Sequence, residues 1–153
     1  MIYLSGTSAV NGYPILSGGN IFATGCTANP YNSLTVQASA SPNIGMTLTN
    51  AGIYQVTFGI GVGANDQAST AYTFTLSIDG STAATAKPYS TISFLSEDGH
   101  QRNLVSFTTI ITVTAGQTLS ILNASGGTRY INSPVNAAAT AGPAAYISVI
   151  RLK

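Results

Sequence analysis

The sequence predicts an all-β domain of antiparallel strands, built as a sandwich, barrel or jelly roll. Three observations carry this. Apolar and polar residues alternate with period two over several long runs, the spacing of a strand with one buried face. Helix signals are nearly absent: alanine is common but sits among Thr, Ser, Gly and Asn, off any 3.6-residue stripe. Turn residues punctuate the chain every 8–12 residues or so, which gives about eight to ten strands.

The elements follow in order. Residues 1–12 have little core content and read as an N-terminal arm, leaving 13–153 as a single β domain. Ile15-Leu16 and Ile21-Phe22 flank Gly18-Gly19, and Leu34–Gln37 and Met46–Thr49 are short strands. The run from Ile53 to Val62 places Tyr54, Val56, Phe58, Ile60 and Val62 on one face, with Gln55, Thr57, Gly59 and Gly61 on the other. Phe74, Leu76 and Ile78 alternate with Thr73, Thr75 and Ser77 before a turn at Asp79-Gly80. From Val105 to Val113 both faces carry β-branched groups, which predicts a strand buried on both sides. Ala115-Gly116 is a turn, Leu119 and Ile121 lead to a break at Asn123, and residues 134–143 form a low-complexity loop. Ala145–Leu152 is a closing strand, apolar on both faces.

Composition bounds the function. The chain has 153 residues, of which 44% are apolar and only 6% charged, against a norm of about 25% charged. Five cations cannot make the basic stripe that neutralises phosphates, so no nucleic-acid partner is expected. The apolar content and low net charge are not those of a disordered chain. No apolar run approaches the roughly 18 residues of a membrane helix, so no membrane partner is expected. Neither a basic segment nor an apolar run follows Met1, so the chain is expected to be made in the cytoplasm without a signal peptide. Cys26 is the single cysteine and cannot form an intrachain disulfide.

Four segments, in order, resemble the tumour-necrosis-factor-like and complement-head-like jelly rolls. Leu48-Thr49-Asn50-Ala51-Gly52-Ile53-Tyr54-Gln55-Val56-Thr57-Phe58 looks like the glycine–tyrosine strand of those domains. Phe74-Thr75-Leu76-Ser77-Ile78-Asp79-Gly80 is similar to their hairpin, Val113–Ile121 to their Ala-Gly turn, and Ala144–Lys153 to their closing strand. The low-charge, Thr/Ala/Asn-rich style is nearest to the heads of bacterial collagen-like spore-surface glycoproteins and to phage accessory proteins. No Gly-X-Y stalk precedes the head in this sequence, and residues 1–45 match no part of the pattern. The resemblance implies a ten-strand antiparallel jelly-roll sandwich in a homotrimer, with strands 53–62, 105–113 and 145–152 in an inner sheet around the threefold axis.

A trimer also follows from the residues. Strands apolar on both faces fill the sandwich with one face and need a cover for the other. With so few charges to keep such a surface in water, the cover expected is another copy of the chain. Tyr54, Phe58, Phe107 and Tyr146 are the expected aromatic anchors near the axis. A shift of one residue in register would make any of them an ordinary core residue instead.

No catalytic site, cofactor or metal is expected. His100 is the only histidine and lies in the one charge cluster, with Glu97, Asp98 and Arg102. Adjacent loop residues seldom hold triad geometry, and no nucleophile-elbow pattern is present. The cluster reads as a loop tip, with contact to a partner as its functional alternative. Asn123-Ala124-Ser125 is a glycosylation sequon by pattern only. The function expected is a non-enzymatic accessory protein of a particle surface, a trimeric phage capsid decoration or head-fibre protein. The alternatives are a spore exosporium glycoprotein head and a carbohydrate- or receptor-binding trimeric head.

Overall fold

The computed structural model describes residues 1–5, 13–24, 27–28, 38–41, 45–62, 70–79, 91–96, 103–131 and 143–153. Over these run twelve strands: β1 (Ile2–Ser5), β2 (Tyr13–Ile15), β3 (Thr27–Ala28), β4 (Ala38–Ser41), β5 (Gly45–Leu48), β6 (Gly52–Val62), β7 (Thr70–Ile78), β8 (Thr91–Ser96), β9 (Asn103–Val113), β10 (Thr118–Asn123), β11 (Arg129–Ile131) and β12 (Pro143–Arg151). A single 3-10 turn spans Ile21–Thr24. The count exceeds the sequence expectation because several strands have only two to four residues, too short for alternation to register. The strand expected at residues 34–37 lies outside the described residues, as do Cys26 and most of the 134–143 loop.

The strands form two antiparallel sheets. One runs β2-β11-β6-β12-β1-β3 with β9 on β6, and the other runs β4-β5-β10-β7-β8. The long pair β6 and β9 is in register from Gly52–Val113 to Val62–Asn103. On its other side β6 pairs with β12, from Tyr54–Arg151 to Ile60–Ala145.

The arm expected over residues 1–12 is corrected at its start. Ile2–Ser5 is a strand of the larger sheet, with Ile2 opposite Ile147 on β12 and opposite Ala28 on β3. Ile2 is 2% exposed and belongs to the core. Four residues are too few to reveal a strand by period, and this one is defined by its partners. Residues 6–12 lie outside the described residues.

The core fills the space between the sheets. Tyr54, Val56, Phe58 and Ile60 of β6, with Ile147 of β12 and Ile111 and Val113 of β9, meet Tyr72, Phe74 and Leu76 of β7, Leu119 and Ile121 of β10, and Met46 and Leu48 of β5. The Tyr54 hydroxyl satisfies itself by donating to the Asn50 carbonyl at 2.8 Å, so a fully buried tyrosine leaves no orphan polar atom. Ile21 and Phe22 add the 3-10 turn to the same cluster. Asp79 ends β7 at a φ of 56°. Its carboxylate accepts from the Thr118 N–H at 2.8 Å and from Gln117 Nε2 at 2.9 Å, bonds that hold an otherwise unfavourable left-handed residue.

A buried polar knot ties the early chain to β10. Asn123 is fully buried. Its side-chain amide donates to the carbonyls of Ile15 (2.8 Å), Leu16 (3.1 Å) and Gly127 (2.9 Å), and its Oδ1 accepts the Ser125 N–H at 2.9 Å. Gly18 N–H donates to the Asn123 carbonyl at 2.7 Å, and Asn123 N–H to that of Gly19 at 2.9 Å. Ser125 Oγ accepts the Thr73 N–H at 2.8 Å. The break in alternation at Asn123 therefore marks a structural residue. The same geometry closes the sequon, because the amide nitrogen that a glycan would need faces three carbonyls inside the protein.

Candidate assembly face

The two sheets differ on the sides turned away from the core. At the centre of the five-stranded sheet, the outward residues Thr75, Ser77 and Ser120 are 0%, 1% and 2% exposed. On the larger sheet, the outward side of β9, β6 and β12 is open. Ile110 is 57%, Ile150 59% and Leu152 51% exposed, and Ile53 adds a further apolar surface at 36%.

Register arranges this open face in rows. Ile110, Gln55 and Ile150 lie across β9, β6 and β12 in one row. Beside it stand Thr112 and Ile53, with Leu152 next to them, its N–H donating to the Ile53 carbonyl at 2.8 Å. On the other side the row is Thr108, Thr57 and Ser148, where the Thr57 and Thr108 hydroxyls are 2.9 Å apart. Last comes Ser106, Gly59 and Tyr146. A Cβ on Gly59 would collide with the Tyr146 ring, so the glycine is what lets that ring lie flat on β6. None of these positions carries a charge. Arg151, at the end of β12, faces the other way and donates to the Ala51 carbonyl at 2.8 Å.

The face thus has an apolar end, a hydroxyl belt and a tyrosine at the far end. The apolar end sets its chemistry: removing a half-exposed isoleucine from water contributes about 1 kcal/mol. Its hydroxyls have no imidazole or carboxylate side chain beside them among the described residues. Among the described residues the only carboxylate side chain is Asp79, with both oxygens engaged by Thr118 and Gln117.

The anchors read from the sequence divide between the two faces. Tyr146 lies on the open face. Tyr54 and Phe58 do not: both are fully buried inside the sandwich. Phe107 turns the same way and packs its ring on Phe58, with centroids 6.0 Å apart and planes at 59°. The reason is register parity. On β6 and β9 the bulkiest side chains take the core side, and the opposite phase holds mainly Gly, Ser, Thr and Gln, with Ile53 and Ile110 exposed there. Ile53, Ile110, Ile150 and Leu152 were the residues to find, and their signal was an aliphatic side chain in the hydroxyl-bearing phase. The expectation that 105–113 is buried on both sides is likewise corrected, since Ser106, Thr108, Ile110 and Thr112 are exposed. Glu97, Asp98, His100 and Arg102 lie outside the described residues.

No family model and no curated protein matches the sequence. Among solved structures, the structure of Eiger TNF from S. frugiperda superposes with a TM-score of 0.68 at 15% identity, covering 99% of this chain and 90% of that one. The fold is a tumour-necrosis-factor-like jelly roll. The match spans the short early strands as well as the long ones. β1, β2, β3 and β4, from the part of the sequence that matched no motif, are thus strands of the two sheets.

Proposed function

We propose that the chain is a structural, non-enzymatic head that assembles as a homotrimer through the open face of β9, β6 and β12. It acts on a particle surface, as a phage capsid decoration or head-fibre protein. The observation that supports this most directly is the contrast between the sheets: one has its outward centre covered, and the other presents an uncharged face with four exposed aliphatic side chains. A second copy offers the matching lack of charge, so burying this face strands no ion. The jelly-roll fold and the low-charge composition support the same reading.

Sedimentation equilibrium tests the trimer. The wild-type chain is expected to sediment as three copies at micromolar concentration. Ile150→Lys with Leu152→Lys brings two charges per subunit into the contact and is expected to give a folded monomer. A wild-type monomer would refute the assembly. Antibody labelling tests the particle. Label over phage heads supports the capsid role, and label over spores instead moves the protein to the exosporium.

A further inference from the structure

The edges of the two sheets are unequal. β2 has three residues and contains Pro14, β3 has two residues, β4 four and β8 six. β9 has eleven, runs in unbroken register with β6, and has no partner on its other side among the described residues. Edge strands are normally blunted by charge, proline, a bulge or shortness. From Asn103 to Val113 there is no charge, no proline and no glycine. In an antiparallel ladder about half the residues of such a strand point both N–H and C=O away from their partner. These free groups call for another strand.

We propose that, in a subunit whose open face is not engaged, the free edge of β9 pairs with β9 of a second copy, antiparallel about a twofold axis at Thr108. This rests on the trimeric reading only in naming the state in which the edge is free. Pairing over the full strand sets Asn103 against Val113 and so fixes the centre at Thr108. The second copy is the occupant because the strand is its own complement. Ser106 then faces Ile110, Phe107 faces Thr109 and Val105 faces Ile111, which are aromatic, β-branched and hydroxyl pairs with no like charges opposed. Inward residues face inward residues across the axis, so each core stays closed.

Disulfide trapping tests the register. In the Ile150→Lys, Leu152→Lys chain with Cys26→Ser, one sample carries Ser106→Cys and another Ile110→Cys. Directly opposed positions lie within disulfide reach. A residue and its own copy at 106 are offset by four residues, about 13 Å along the strand, which is beyond that reach. Under oxidation a cross-linked dimer is expected in the mixture and lost in either sample alone. No dimer in the mixture, or equal dimer in all three, overturns the proposal. Circular dichroism confirms that each sample is folded, and Ile150→Ser replaces the double lysine variant if that one is not. Should the wild-type chain itself prove monomeric, the same cysteines in the wild-type background decide the edge pairing, so the two readings fail separately.

Discussion

Replacing Asn123 by leucine is expected to lower the stability of the subunit by on the order of 4 kcal/mol, the largest loss from any single polar side chain described. Leucine has the same branching, but its methyl groups are bulkier than the amide and cannot approach three carbonyl oxygens as closely, so some overpacking adds to the loss. What disappears is the donor to Ile15, Leu16 and Gly127 and the acceptor for Ser125. Each buried peptide group left unpaired costs about 1–3 kcal/mol, and those nearest the surface recover part of it from water. Asn123→Asp keeps the acceptor but turns a charged oxygen toward three carbonyls, and is expected to be no better. Urea denaturation reads both variants. A midpoint unchanged for leucine would mean that the knot is ornamental to the fold.

Phe58→Ala is expected to cost about 3–5 kcal/mol, the range for a fully buried aromatic, and to act on folding rather than assembly. Phe58 is wholly enclosed, and its loss also removes the ring against which Phe107 packs. Ile150→Ser has the opposite signature. With Ile150 59% exposed in the subunit, its truncation is expected to change subunit stability by less than about 0.5 kcal/mol while weakening the proposed trimer. Denaturation and sedimentation of the two variants separate core from interface. If Phe58→Ala disassembled the protein without loosening it, the inward assignment would be wrong.

The long strands were legible because alternation over nine or more residues has one cause, a sheet with unlike faces. Period alone does not say which phase turns inward. Tyr54, Phe58 and Phe107 could anchor a trimer or fill a sandwich, and volume decides: rings fill the wider gap between sheets, while Ser and Thr tolerate the open side. Tyr146 escapes this rule because Gly59 across from it gives the ring a flat bed. The early strands were illegible for a different reason. Ile2–Ser5 is a strand through its pairing with residues more than 130 positions away, and no local window holds that information. Asn123 stood out as an interruption, but its three carbonyl partners come from the end of β2 and from the bend at Gly127, two places far apart in the sequence.

The pairing of Ile2 with Ile147 constrains synthesis. β1 sits between β12 and β3, so its place in the larger sheet is not complete until β12 has been synthesised. Folding in which the first strand waits for the last has a high contact order and a large loop-closure cost, the regime of slow folders. During that wait β6 and β9 are long, uncharged and unshielded, the kind of segment that associates between nascent chains. Yield in the cell should therefore respond to expression temperature and chaperone supply more than the stability of the finished subunit would suggest.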